Sequence, residues 1–235
     1  MKAVNLYSYL KQKEYPGRGI VIGKTGDGMI LIGYFIMGRS ENSRNRIFVT
    51  HGDGIRTEAF DPSKMKDPSL IIYQPVRVLK DCTIVTNGDQ TDTIYHDLLQ
   101  GGTFVSALLT RTYEPDSPNY TPRISGIVKG ESYALSILKS ADGDPECPVR
   151  NFVFYEKPKA GFGHIIHTYV DNGSPIPSFE GDPVCVEMND DQDTFTEKLW
   201  DALNHDNRVS LFTRLLNPET GETTDRIINR NVKEN

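Results

Sequence analysis

Hydrophobic positions fall into short runs separated by turn residues. Residues 29–37, Met-Ile-Leu-Ile-Gly-Tyr-Phe-Ile-Met, are apolar almost throughout, which predicts a strand covered on both faces. A shorter run at 18–24 precedes it across Thr25-Gly26-Asp27-Gly28, a turn that joins antiparallel strands. Further strands are expected at 47–50, 56–60, 70–79, 83–86, 124–128, 132–139, 151–155, 163–169 and 184–187. A last hairpin, 209–216 with 223–228, turns at 217–221. Pro75 places the 70–79 strand at an edge or a bulge. Helices are expected at 5–13, 93–99, 103–112 and 195–203; Thr194 to Glu197 has capping-box form, with Trp200 as the buried anchor of its helix. Many strands and few helices, with no repeat or linker, predict two stacked sheets flanked by helices in a single domain over residues 1–235.

Three polar stretches interrupt this pattern. Residues 38–46, Gly-Arg-Ser-Glu-Asn-Ser-Arg-Asn-Arg, hold three arginines, two serines and two asparagines between two strands. Arginine offers a planar fork of donors and keeps its charge, so the loop suits an oxyanion; a solvated hairpin loop fits the stretch equally. Residues 87–92 join a strand to a helix, with Thr91 or Asp92 as cap, and free amides at such a junction attract anions. Here a cap without a ligand is slightly favoured. Residues 113–123 hold three prolines, with Glu114 and Arg123 among their charges, and such irregular loops carry positioned groups.

Other signals are weaker. Gly23-Lys24-Thr25 lacks the upstream glycine of a phosphate loop and runs into a turn rather than a helix. His164 and His167 would face opposite sides of a strand and are read as structural or surface residues. Tyr73 taken alone is a core tyrosine whose hydroxyl reaches a backbone carbonyl.

Charge narrows the class. The net charge is −6, against a general nucleic-acid binder, yet residues 17–50 carry five basic and two acidic side chains, a net of +3. Residues 180–203 carry eight acidic side chains and one lysine, a net of −7. A small anionic ligand fits better than a long polyanion. No stretch has the length and apolarity of a membrane span, and no secretion signal is evident. Cys82, Cys147 and Cys185 are odd in number and lack metal spacing, which predicts reduced thiols and a cytoplasmic setting.

Four stretches together resemble the archaeal-type IMP cyclohydrolase family. They are Gly17-Arg18 to Gly23-Lys24, Gly38-Arg39-Ser40 to Asn45-Arg46, Asn87-Gly88 to Thr91-Asp92-Thr93-Ile94, and Tyr113-Glu114 to Thr121-Pro122-Arg123-Ile124. They cover residues 16–130 in the family's order; beyond about Ser140 little anchors the likeness. The resemblance implies an α+β, four-layer αββα sandwich of two mainly antiparallel sheets, like that of N-terminal nucleophile hydrolases. Met1 has no hydroxyl or thiol, so the nucleophile mechanism of those enzymes is not expected.

It also implies closure of 5-formamidoimidazole-4-carboxamide ribonucleotide to IMP with loss of water, with Arg46, Tyr73 and Glu114 catalytic. Substrate binding is expected of Arg18, Lys24, Arg39, Ser40, Asn45, Asn87, Gly88, Thr91, Asp92 and Arg123. The 5′-phosphate is expected among Arg39, Ser40, the Asn87 and Gly88 amides and Arg123. The chemistry needs no metal or cofactor. The partner is a small nucleotide, not nucleic acid or membrane, and a homo-oligomer is allowed. The alternatives are a purine-nucleotide-binding protein without chemistry on the same fold, and an amide hydrolase with an internal nucleophile.

Overall fold

The computed structural model describes residues 2–65, 68 and 71–232. Met1, Asp67 of the 61–68 loop and Leu70 of the expected 70–79 strand lie outside the described residues. The chain is α+β, built on two antiparallel sheets. The six-stranded sheet holds β1 (Arg18–Lys24), β2 (Ile30–Met37), β10 (Phe162–His167), β11 (Val184–Glu187), β12 (Arg208–Leu216) and β13 (Thr223–Asn229), ordered β11-β10-β1-β2-β12-β13. The other sheet runs in chain order through β3 (Arg46–His51), β4 (Gly54–Ala59), β5 (Val76–Leu79), β6 (Cys82–Thr86), β7 (Arg123–Lys129), β8 (Ser132–Ala141) and β9 (Asp144–Tyr155).

Alternation along β2 explains its apolar run. Ile30, Ile32, Tyr34 and Ile36 pack between the sheets against Phe48, Ile55, Val85 and Leu135. Leu31, Phe35 and Met37 point the other way, onto Leu6 and Leu10 of α1 (Leu6–Lys11) and Phe195 and Leu199 of α5 (Gln192–Ala202). Every residue of β2 is buried, as a strand covered on both faces requires. Gly33 permits this closeness, since a Cβ there would sit 3.2 Å from side-chain carbons of Phe195 and Leu199. On the seven-stranded sheet, α3 (Gln90–Leu99) and α4 (Phe104–Leu109) bury Ile94, Phe104 and Leu108 against Ile84, Ala134 and Leu138.

Several expectations shift. Helix α5 begins at Gln192, because Asp191 accepts the Thr194 amide at 2.9 Å and caps it there, ahead of the expected 194–197 box. Trp200 is only partly buried, with the Arg208 guanidinium 4.5 Å above its ring; Phe195 and Leu199 anchor the helix instead. Helix α3 begins at Gln90, with neither Thr91 nor Asp92 as its cap. Strand β5 is only four residues long, because residues 71–75 turn away from ladder geometry. Inside the 38–46 loop lies a one-turn helix, α2 (Glu41–Arg44), closed by a capping box between Ser40 and Ser43.

His164 and His167 do face opposite sides. His164 meets Tyr133 at 2.7 Å, toward the other sheet. His167 is fully buried under α1, its Nδ1 donating to the Tyr169 carbonyl at 2.6 Å and its Nε2 accepting from Tyr9 at 2.7 Å. Burial lowers its pKa to about 3, so the folded protein refuses a proton that the unfolded chain binds near pH 6.5. The resulting stability is complete above pH 6.5 and is lost as pH falls toward 3. Between pH 6.5 and 4.5 this costs about 2–3 kcal/mol, at about 1.4 kcal/mol per unit. His167→Gln should flatten the urea-midpoint profile in that window by one proton's worth of slope; an unchanged slope contradicts the assignment.

Candidate functional site

Strand direction gathers the chemistry at one end of the two sheets. β1 and β7 begin there with Arg18 and Arg123, β3 begins there with Arg46, and β2 and β6 end there. Arg46 is buried, donating from Nε to the Ser43 carbonyl at 2.8 Å and from Nη2 to the Met37 carbonyl at 3.4 Å. These bonds fix its fork, and its charge acts on the Tyr34 hydroxyl.

Tyr34 is the inward residue of β2 nearest this end but one. Its hydroxyl lies 2.8 Å from that of Tyr73, not beside a backbone carbonyl. Tyr73 is held by Thr57 of β4, which donates from its amide to the Tyr73 carbonyl at 2.9 Å and accepts the Tyr73 amide on Oγ1 at 2.9 Å. Burial, then the neighbouring Tyr73, push the Tyr34 hydroxyl far above the usual phenol range, so it stays protonated.

Glu114 enters from the 113–121 loop. That loop is closed by its own bonds: the Glu114 amide reaches the Thr121 carbonyl at 2.9 Å, and Asp116 accepts both the amide and the hydroxyl of Thr121. Thr121 Oγ1 also lies 2.5 Å from the Tyr169 hydroxyl. The Glu114 carboxylate accepts Arg18 Nη2 at 2.5 Å, with side chains 4% and 12% exposed. Burial pushes the Glu114 carboxyl above its ordinary range, against the pull of Arg18 and Arg123. Burial opposes the charge on Arg18, yet Glu114, Tyr73, Tyr169 and Tyr34 together hold it more firmly protonated than usual. Arg18 Nε is buried without a partner among the described residues.

Thus Arg18, Arg46, Tyr73, Glu114 and Arg123 interact in one buried group, with Tyr34 and Tyr169, which the sequence reading missed. Tyr34 shares parity with Ile32 and Ile36, and only its facing Tyr73 distinguishes it from core.

Other expected binders are placed differently. Lys24 lies six residues along β1 from Arg18, about 20 Å at strand rise, and pairs with Glu131 at 3.0 Å. Asn45 exchanges bonds with the backbone of Asp61, both at 2.8 Å. Asn87 is fully buried and ties β6 to β7: its Nδ2 donates to Pro122 and its Oδ1 accepts the Ile124 amide, both at 2.8 Å. Its own amide goes to the Ile124 carbonyl, and the Gly88 amide to Thr86 Oγ1, each at 3.2 Å, so neither is available to a phosphate. Thr91 bonds Thr86 and the Gly88 carbonyl inside the same turn. Asp92 pairs with Arg77 at 2.6 Å on the outer side. Ser40 caps α2, and Arg39 is exposed, reaching Asn172 and the Gly173 carbonyl.

Among the described residues no His, Cys, Asp and Glu cluster suits a metal ion. Burial, then Asp81, raise the Cys82 thiol, the reverse of nucleophile activation.

Buried arginines, a buried carboxylate and a pair of tyrosine hydroxyls thus meet at one end of the two sheets. A sequence model described as "IMP cyclohydrolase-like protein" matches residues 15–221. The chain is similar to the IMP cyclohydrolase of Methanothrix thermoacetophila, 31% identical over 171 residues that span 71% of this chain and 80% of that protein. It is 32% identical to that of Methanopyrus kandleri over 189 residues, spanning 71% and 89%. To that of Methanocella arvoryzae it is 34% identical over 148 residues, spanning 57% and 71%. The chain belongs to the IMP cyclohydrolase-like family. The family match runs to residue 221, well past the Ser140 limit of the motif-based likeness.

Proposed function

We propose that this protein closes 5-formamidoimidazole-4-carboxamide ribonucleotide to IMP with loss of water. The observation that carries the reading is the buried Arg18–Glu114 pair beside the Tyr34–Tyr73 hydroxyl pair, with Arg46 acting on the Tyr34 hydroxyl. The arrangement of two helix pairs outside two sheets also supports a four-layer αββα sandwich of the N-terminal nucleophile hydrolase type.

The carboxamide nitrogen is a weak nucleophile, and it meets a formyl carbon of the same molecule. Alignment of such groups gives effective molarities of about 10⁵ M or more, so holding the substrate folded supplies much of the rate. As the ring closes, the formyl oxygen gains negative charge. The Arg46 fork and a Tyr73 hydroxyl polarised through Tyr34 stabilise it. Glu114, pushed up by burial, accepts the carboxamide proton as the N–C bond forms and passes it to that oxygen; the C–O bond then breaks as the formamido nitrogen gives up its proton, and the oxygen leaves as water carrying both. Arg18 holds that carboxylate in place.

Purified protein given the formamido nucleotide should produce IMP absorbance with no metal or cofactor added. Saturable IMP binding without any ring closure would show a nucleotide-binding protein instead.

A further inference from the structure

Asp89 occupies the N-cap position of α3, with φ −68° and ψ −9°, yet its side chain caps no amide. Its carboxylate instead bridges two guanidinium groups. Oδ2 accepts Arg111 Nη2 at 2.5 Å and Oδ1 accepts Arg123 Nη1 at 2.7 Å. Arg123 Nη1 also reaches Gln90 Oε1 at 2.8 Å. Arg111 follows α4, and its carbonyl is pinned by Arg150 Nε and Nη2 at 3.1 and 2.8 Å. Gly88 packs against them: a Cβ there would lie 2.6 Å from Arg123 Nη1, so the guanidinium would have to shift.

Burial alone would raise Asp89, but Arg111 and Arg123 hold its carboxyl below the ordinary range. The side chain is nonetheless 52% exposed, whereas that of Arg123 is 7% exposed. Two buried or half-buried cations thus converge on one carboxylate that has open solvent behind it. A carboxylate brings one charge and two oxygens. A phosphate monoester brings nearly two charges and three oxygens, in a geometry that the same two forks match. Arg123 also acts electrostatically on Glu114, so this bridge adjoins the reacting end of the site.

We infer that the Arg111–Asp89–Arg123 bridge is the seat of the substrate's 5′-phosphate, with Asp89 a displaceable stand-in that swings to solvent when the phosphate arrives. The inference rests on the reading of this site as a nucleotide site and adds Arg111 and Asp89 to it. The nucleotide then lies with its phosphate at the α3 end and its imidazole against Glu114.

Binding of IMP and of inorganic phosphate to the full chain, followed by calorimetry, tests this beside steady-state kinetics. Arg111→Ala should weaken both ligands about tenfold or more, the loss of one charge-assisted contact, and raise KM to match, with kcat within about twofold. Asp89→Asn should tighten phosphate, and phosphate should raise its melting temperature more than that of the parent. The nucleoside lacking phosphate should bind all three proteins alike. If Arg111→Ala does not fold, Arg111→Gln replaces it. Unchanged IMP and phosphate affinity in a folded Arg111 variant, or weaker phosphate binding by Asp89→Asn, overturns the inference. Ring closure failing in the parent protein sinks the enzymatic reading alone, because the binding measurements do not depend on turnover.

Discussion

Glu114→Leu should lower folding stability by about 3–5 kcal/mol and remove ring closure, because it strands Arg18 as an unpaired charge away from water. The pair is almost wholly enclosed and the two groups touch at 2.5 Å, so water cannot take over either partner's role. Arg18→Met together with Glu114→Leu should recover most of the lost stability, since two apolar groups leave no buried charge unmet. That double variant should still turn over nothing. Urea midpoints and IMP absorbance separate the two effects. A double variant as unstable as Glu114→Leu would mean that the loop fails for some other reason. Arg18→Met alone removes an influence that lowers the Glu114 carboxyl. A base must be deprotonated to act, so the acidic limb of kcat/KM should move to higher pH.

Arg46→Ala should cut turnover by about 10²–10³ or more, the scale of losing a donor aimed at developing negative charge. Lysine should rescue little of this. Arg46 uses Nε on the Ser43 carbonyl and Nη2 on the Met37 carbonyl while presenting charge to the Tyr34 hydroxyl. A single ammonium can satisfy one of those tasks at a time. Arg46→Lys should therefore lose at least a hundredfold in turnover and also melt below the parent, since one of the two buried carbonyls goes unmet. Turnover within fivefold of the parent would remove Arg46 from the chemistry.

Much of the architecture is legible from alternation and turn residues. β2 declares its double coverage by being apolar on both parities, and the 209–228 hairpin declares itself by Asn217-Pro218 and Gly221. What escapes the sequence is what depends on distant partners. Residues 71–75 read as strand until Thr57 pulls the backbone of Ile71 and Tyr73 out of line. The α5 start depends on whether Asp191 or Thr194 wins the cap, and both are competent residues.

The site divides the same way. Arg46, Tyr73 and Glu114 come from motif resemblance, and the fold brings them together with Arg18 and Arg123. Asn45, Asn87 and Thr91 belong to the same motifs, but their polar atoms are spent on holding the motifs' own backbone. Polar residues in a binding motif serve ligand and loop alike, and spacing does not distinguish the two. Lys24 is separated from the rest only by counting along a strand whose other end carries Arg18. Tyr34 sits in an apolar run and Asp89 at a helix start, so each reads as ordinary until its partner across the fold is seen.

The most direct check is a crystal structure of the protein soaked with IMP. The purine should lie between Tyr73, Glu114 and Arg46, with its phosphate toward Arg123. IMP seated instead in the cleft of about 450 Å³ at the opposite end of the sheets, against Arg214 and Asp53, would contradict the account.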